Sequence, residues 1–450
     1  MLRSEITDIT ADIMRKVQRR MLVSKKIGEI KTKLNIDIMD EKAEQDVRNS
    51  VLKVSKELGI DPDFSGRLLN ILLSESVKLQ QKQDVNISEP QTHLAVFMKA
   101  KELEASGKKI IHMEVGEPDF PPPSNVKNAL YRAYDQKQYH YTDTRGIMSL
   151  RQVIAKKFGG YVTENQVIIT AGGRFAIFSA ILSLIKTGEE VICIEPAWPA
   201  YRECAEFIGA KTKILKTTLH QKWNPDINEL SGMINTNTKM VILNYPNNPT
   251  GKVIDENNMK KIVSLANDHN LYLLSDEVYA DYSFDGFKSI LQYGYDKSIM
   301  ISSFSKGYAM TGFRVGYGIA SEKIISRMAK IQATALTSVA EPMQQCALAA
   351  METNTIENVK LMKKRLDIVC SKLQKMSLEF IKPSGTMYVF PKLKNEKHDD
   401  VSLVQTLLDL GVAVAPGSGF GDSYTRFIRI SACQPEALLE KGLDLLMRVL

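Results

Sequence analysis

From His93 onward, short apolar runs take turns with helix-like stretches: Val167 to Thr170 precedes Phe175 to Ile185, and Lys239 to Leu243 precedes Lys260 to His269. A strand that rejoins its sheet through a helix lies parallel to its predecessor, so this rhythm calls for a mostly parallel sheet covered by helices. Ligands of such sheets bind just beyond the carboxyl ends of the strands. Function is therefore to be sought in the loops that leave those ends.

The most informative loop follows Ile299 to Ile301. It reads Ser302-Ser303-Phe304-Ser305-Lys306-Gly307, with Arg314 just before the next apolar run. A lysine held there in a partly dry site can give up its proton and attack a carbonyl, forming a Schiff base. Ser303, Ser305 and Arg314 place hydroxyls and a cation at one locus, which suits a phosphate dianion. The bland alternative is a lysine decorating a glycine-containing turn.

Other strand ends add to this. Ala171-Gly172-Gly173-Arg174 opens a helix whose backbone N–H groups can grip an anion, and Asn244-Tyr245-Pro246-Asn247-Asn248-Pro249-Thr250-Gly251 is a proline-braced carboxamide loop. In Ser275-Asp276-Glu277-Val278-Tyr279 an aspartate directly follows an apolar strand. Facing a pyridine nitrogen, it would keep that nitrogen protonated and make the ring an electron sink, with Tyr279 and Asn248 placed to hydrogen-bond a ring oxygen. Trp198 lies in a proline-rich loop, where it either stacks on a flat ring or fills the core. Arg429 interrupts the apolar run Phe427 to Ser431 and needs an anion, either a substrate carboxylate or a structural partner.

Over roughly residues 93 to 450 these motifs together resemble the class I and II aminotransferases of pyridoxal phosphate (PLP) fold type I. The resemblance implies a homodimer with shared sites, acting on amino acids and 2-oxo acids. It implies that Lys306 carries the cofactor and shuttles the substrate proton, that Asp276 pairs with the pyridine nitrogen and that Asn248 and Tyr279 meet the ring oxygen. Trp198 would stack on the ring. Gly172, Gly173, Arg174, Ser303 and Arg314 would hold the phosphate, joined by Tyr141 of the neighbouring subunit. Arg429 would bind the substrate α-carboxylate, with Gly116 of Val115-Gly116-Glu117-Pro118-Asp119-Phe120 beside it.

The first eighty residues read differently. Leu2, Ile6, Ile9, Ile13, Val17, Met21, Ile27, Ile30 and Leu34 recur at helical spacing, and two further helices are expected from about Asp40 to Leu58 and from Asp63 or Phe64 to Leu79. A first helix of that length is too long for a three-helix unit to cover alone, which points to dimerisation. Arg20 and Lys31 face nearly the same way, whereas Arg3 lies roughly 25 Å along the axis from Arg20 and about 100° round it. One small anion can touch both Arg3 and Arg20 only if two copies pair antiparallel. Ser76 and Gln80 form a donor pair one turn apart. Residues 1 to 82 resemble the all-helical, AroQ-class chorismate mutases. By that resemblance Arg3 of the partner, Arg20 and Lys31 hold the carboxylates and ether oxygen of chorismate, Asp40 and Glu44 face the ring hydroxyl, and Ser76 and Gln80 meet the carboxylate and ether oxygen. Ala43 departs from the family pattern, which has an arginine immediately before the glutamate.

The expected architecture is thus α/β, a PLP-dependent transferase fold with a mostly parallel large domain and a smaller α+β domain, preceded by an all-α three-helix module. Residues 1–83 form the module and 84–92 a linker. The remaining 93–450 divide into a large domain of about 130–340 and a small one of about 93–129 and 341–450. The formal charge of +7 is spread along 450 residues without a basic block, so nucleic acid is not an expected partner. Five scattered cysteines indicate neither disulfides nor zinc and suit a reducing cytoplasm, and no apolar run approaches membrane-spanning length. Three alternatives stay open: an aspartate aminotransferase with a non-catalytic helical module, a PLP-dependent lyase, and a PLP-binding regulator. Arg145, Arg151 and Lys252 are conceivable cations for a second substrate carboxylate.

Overall fold

The computed structural model describes residues 2–34, 41–81, 93–394 and 399–450. The chain divides into two compact units, Met1–Pro90 and Gln91–Leu450. The expected linker 84–92 lies outside the described residues, and no helix among the described residues is long and apolar enough to cross a membrane.

The first unit contains α1 (Leu2–Leu34), α2 (Glu41–Glu57) and α3 (Pro62–Gln81), with α3 packed on both others. At 33 residues α1 runs about 50 Å. Its apolar row Leu2, Ile6, Ile9 and Ile13 stays more than half exposed in the single chain. Beyond α2 the backbone turns at Gly59, whose φ of +66° is left-handed and suits glycine. The third helix begins slightly earlier than the apolar spacing indicates. Asp61 Oδ1 accepts from the Phe64 N–H at 2.7 Å, and Pro62 loses nothing at a first helical position whose N–H has no partner.

The larger unit is built on a seven-stranded sheet and a four-stranded one. The strands in chain order are β1 (Ile111–Met113), β2 (Val167–Thr170), β3 (Glu190–Glu195), β4 (Lys211–Lys216), β5 (Thr238–Asn244), β6 (Tyr272–Asp276), β7 (Ser298–Ser303), β8 (Gly316–Ile319), β9 (Tyr388–Val389), β10 (Val412–Pro416) and β11 (Ile428–Ser431). The large sheet has the order β2-β8-β7-β6-β5-β3-β4 and the small one β1-β10-β11-β9. In the large sheet β8 alone runs against the others. It is reached from β7 through a loop without a crossover helix, and such a connection reverses direction. That loop carries Lys306.

Strands buried on both faces read as continuous apolar runs, as Met240 to Leu243 does. On one face of the large sheet Ile177 and Ile181 of the helix Gly173–Leu184 pack with Ile299 and Ile301, and on the other Met259 and Ile262 pack with Leu273 and Met300. The small sheet is covered by the helices Ile356–Lys375, Asp400–Asp409 and Glu436–Val449. One expected boundary moves. The helix α5 (Ser124–Asp135) packs against the helix Glu341–Ala350, and Val126, Cys346, Ala347 and Ala350 are buried in the core of the large sheet. The larger domain therefore takes in both helices, because their apolar faces meet each other and that core.

Other helices of the larger unit are α4 (His93–Ala105), α6 (Met148–Lys157), α7 (Gly173–Leu184) and α8 (Ala200–Phe207). On α6 the side chain of Arg151 is 1% exposed; Nε donates to the Gly146 carbonyl and Nη1 to that of Glu164, each at 3.0 Å. Arg151 is a structural brace, so it is removed from the candidate substrate cations. Arg151→Ala leaves two carbonyls unpaired over a cavity and is expected to lower stability by about 3 kcal/mol, read from denaturant unfolding.

Candidate active site

The carboxyl ends of β2, β3, β5, β6 and β7 lie at one edge of the large sheet, and the loops leaving them close around a cavity of about 300 Å³. Its lining includes Gly116, Gly173, Arg174, Trp198, Asn248, Asp276, Tyr279, Ser303, Lys306, Arg314 and Arg429. Residues far apart in the chain are thus brought to one place.

Lys306 is half-buried in the β7–β8 loop. Its Nζ donates to the carbonyl of Gly116 and lies 5.8 Å from the centre of the Tyr279 ring. The loop is fixed by Tyr282 Oη, which donates to the Lys306 carbonyl at 3.1 Å, and by the Ser305 N–H on Ser303 Oγ at 2.9 Å. A side chain at Gly307 would bring its Cβ within 2.3 Å of Asp281 Oδ2, so the residue after the lysine has little room to be anything else.

Around the anion-binding end, Gly172 has φ +80° and the Arg314 guanidinium lies against it: a Cβ there would stand 2.5 Å from Nη2. Gly172 is therefore a wall for Arg314, although it does not itself line the cavity. Ser303 and Ser305 are buried beside it, and the Arg174 guanidinium stands 4.5 Å from the centre of the Trp198 ring. Trp198 is partly exposed on the cavity wall and also packs against the apolar core on that face of the sheet.

Arg429 is 2% exposed at the opposite side. It donates to Asn248 Oδ1 at 3.0 Å and to the Glu114 carbonyl, and it lies over the rings of Tyr388 and Phe420, while its Nε has no partner. None of these contacts is an anion. A buried guanidinium held by neutral groups is a ready receptor for a carboxylate.

Tyr201, Tyr388, Glu117 and Thr311 also line the cavity and were not singled out by sequence. Tyr388 Oη shares a hydrogen bond of 2.8 Å with Tyr279 Oη, and a Cβ on Gly116 would lie 1.6 Å from it. Tyr201 follows Trp198 by one helical turn, a spacing that could have marked it. Nothing in the sequence around Tyr388 distinguishes it from a core aromatic. Tyr141 is 86% exposed and does not line the cavity of its own chain. Nor do Arg145 and Lys252.

In the first unit, Arg20 Nη1 donates to the Leu72 carbonyl at 2.6 Å and to Ser76 Oγ, joining two of the expected chorismate residues. Burial holds the Arg20 guanidinium below its usual range. Glu44 is engaged by Arg48, whose other arm reaches Asn70 Oδ1 at 2.8 Å; sequence reading had not named Arg48. Arg3 is exposed, and Lys31 is half-buried. Asp40 and the side chain of Gln80 lie outside the described residues.

Residues 108–446 match the family model "Aminotransferase class I and II", which spans most of the chain. The chain belongs to the class I and II aminotransferases. Residues 2–81 match a second family, "Chorismate mutase type II", so this aminotransferase carries a chorismate mutase domain at its N-terminal end. An aspartate aminotransferase of Thermotoga maritima is 36% identical over 77% of this chain and 93% of its own length. An aspartate/prephenate aminotransferase of Thermus thermophilus is 31% identical over 81% of this chain and 97% of its own. The solved aspartate aminotransferase of Thermus thermophilus with maleate superposes with a TM-score of 0.77 at 31% identity, covering 81% of this chain and 98% of that one.

The electrostatic centre of the aminotransferase pocket is Asp276, 4% exposed at the end of β6. Burial pushes its carboxyl up to about 6, against the pull of Tyr201 Oη on Oδ2 at 2.6 Å, the Val278 N–H on Oδ1 at 3.1 Å and the charge of Lys306. Asp276 is ionised above that value and loses its charge as pH falls through it. Tyr201→Phe removes a donor to the charged form, so the protonated-carboxyl infrared band should appear about one pH unit higher in the variant.

Proposed function

We propose that the larger unit moves an amino group from an amino acid to a 2-oxo acid in two half-reactions, with pyridoxal phosphate as its cofactor. The observation that carries the reading is the meeting of Lys306, Asp276 and Arg429 around one cavity. The residues fit the cofactor: Gly172 leaves the room in which the Arg314 guanidinium stands, buried Asp276 calls for a cationic neighbour, and Ser303 and Ser305 line the cavity together with Arg314, a donor set that suits a phosphate. When bound, pyridoxal phosphate supplies a carbonyl that takes up the amino group and a ring that accepts electron density.

The chain's own residues do the rest. Asp276 would hold the proton of the ring nitrogen, Tyr279 and Asn248 would hydrogen-bond the ring oxygen, and Trp198 would cover the ring. Gly172, Gly173, Arg174, Ser303 and Arg314 would hold the phosphate, with Tyr141 of a second copy. Arg429 fixes the substrate α-carboxylate next to Gly116, and Lys306 Nζ moves the proton at the substrate α-carbon.

In the first unit Arg20, preset by Leu72 and Ser76, acts with Lys31, Glu44 and residues of a second copy to hold chorismate in its reactive conformer. The rearrangement to prephenate needs no nucleophile and no cofactor; it needs fixed cations and donors where negative charge grows. Prephenate is itself a 2-oxo acid, so the product of one unit is an acceptor for the other. The printed name of the Thermus thermophilus relative supports aspartate and prephenate as the substrate pair. A homodimer is supported by the uncovered row on α1 and by exposed Tyr141. A reducing, cytoplasmic setting is supported by five cysteines, all buried and unpaired.

The test separates the two activities in one protein. Lys306→Ala should abolish transamination and leave chorismate consumption intact, and Arg20→Ala should do the reverse, each loss being at least about a hundredfold. Normal transamination by Lys306→Ala would overturn the assignment of the lysine. Absence of chorismate consumption in the unsubstituted protein would make the first unit a dimerising module, with Ala43 as the departure that explains it.

A further inference from the structure

The segment that brings Val115, Gly116 and Glu117 to the pocket is anchored from behind by a histidine. His112, the middle residue of β1, is 17% exposed and has a carboxylate on each ring nitrogen: Glu114 Oε1 at 2.7 Å from Nδ1 and Glu104 Oε1 at 3.0 Å from Nε2. Glu104 lies on α4 and also takes Lys101 Nζ at 2.8 Å. Glu114 is fully buried, and its other carboxylate oxygen has no partner. Glu114 lies just past the end of β1, in a bend that brings its carboxylate to the His112 ring. The main chain beyond them bears on the site directly. The Glu114 carbonyl accepts from Arg429, the Gly116 carbonyl accepts from Lys306, and Glu117 accepts from Thr311.

We propose that His112 is a positioning residue for the aminotransferase pocket: clamped between Glu104 of α4 and Glu114, it fixes the 114–116 main chain that orients Arg429 and Lys306. This rests on the reading of Arg429 as the carboxylate receptor. Without the imidazolium a buried carboxylate would be left unpaired, and the strand end would shift to relieve it.

The charge state of the ring follows from its surroundings. The hydrogen bond to Glu114 raises the His112 pKa above its ordinary 6.5, reinforced by the Glu114 and Glu104 charges and opposed by burial. The neighbouring strand β10 offers only apolar Val412, Ala413 and Val414 opposite β1, and the helix Glu436–Val449 meets the other face of β1 through Gly442 at Ile111 and Met113. From α4 the ring is faced by Glu104, with Lys101 behind it, and by the Phe97 ring at 6.1 Å. A raised histidine gives a clamp that is complete below the ordinary pKa and is lost as pH rises through the raised one.

The experiment uses the full-length protein loaded with pyridoxal phosphate. The KM for the amino donor should rise with pH in step with the His112 ring titration read by NMR, while kcat changes less. In His112→Gln the KM should be about tenfold higher at the acid end and flat with pH, with chorismate consumption unchanged as the check on folding. Glu104→Gln, on the partly exposed end of the clamp, should lower the pH of the ring titration and move the KM step with it. A KM step that persists in His112→Gln, or one that stays in place when Glu104→Gln shifts the ring, would overturn the proposal. Should His112→Gln fail to fold, Glu104→Gln decides alone. Calorimetric affinity for maleate replaces KM if turnover is absent, so that failure of the aminotransferase reading and failure of the clamp are separate results.

Discussion

Burying a carboxyl group at the end of β6 sets the terms for the larger unit. An isolated carboxylate in such a place costs several kcal/mol, and Asp276 meets that cost only in part, with one tyrosine hydroxyl and one backbone N–H. The strain is tolerable because the sheet around it is over-determined. β5, β6 and β7 run parallel with Asn244, Asp276 and Ile301 in register, and the apolar cores on both faces allow no slip that would carry the carboxyl to water. Stability made in the sheet is thus held in tension at its edge, where a cation would find its site already prepared.

Close approach is the second device. Gly172 lets the Arg314 guanidinium stand against a helix start, Gly116 lets Tyr388 reach Tyr279, and Gly307 makes room for Asp281 beside Lys306. In each case the missing side chain is what lets a charged or hydroxyl group pack close against the main chain. Glycine there serves contact more than flexibility, which is why these loops are precise although they are not regular structure.

Most of this was legible in the sequence because strand-end loops announce themselves. Lys306, Asp276, Asn248 and Gly172-Gly173 each stand in the few residues that follow an apolar run, and a parallel sheet collects such positions at one edge. Tyr388 escaped because it arrives on a different sheet: β9 pairs with β11 in the four-stranded sheet, and only the packing of that sheet beside the large one turns its ring toward Gly116. The role of Arg151 was illegible for a related reason. An arginine on a short helix looks like any surface cation until the carbonyls of Gly146 and Glu164 are found beneath it. The domain boundary moved because α5 and the helix Glu341–Ala350 are distant in sequence and find each other only in three dimensions.

The two units solve opposite electrostatic problems. The aminotransferase pocket surrounds one buried acid with hydroxyls and places its cations around it, so that proton movements can be controlled. The helical unit has no comparable buried acid among its described residues: its contact of note is an arginine, Arg20, set by a serine and a backbone carbonyl, and its acid Glu44 is engaged by Arg48. Fixed cations suit a reaction in which no proton moves and charge only shifts along a bond. Each unit on its own also leaves apolar or aromatic side chains uncovered, the row on α1 in one and Tyr141 in the other, and the proposed homodimer would use both. A chain that dimerised for either purpose would supply the second copy for both, which would give fusion of the two units a structural rationale.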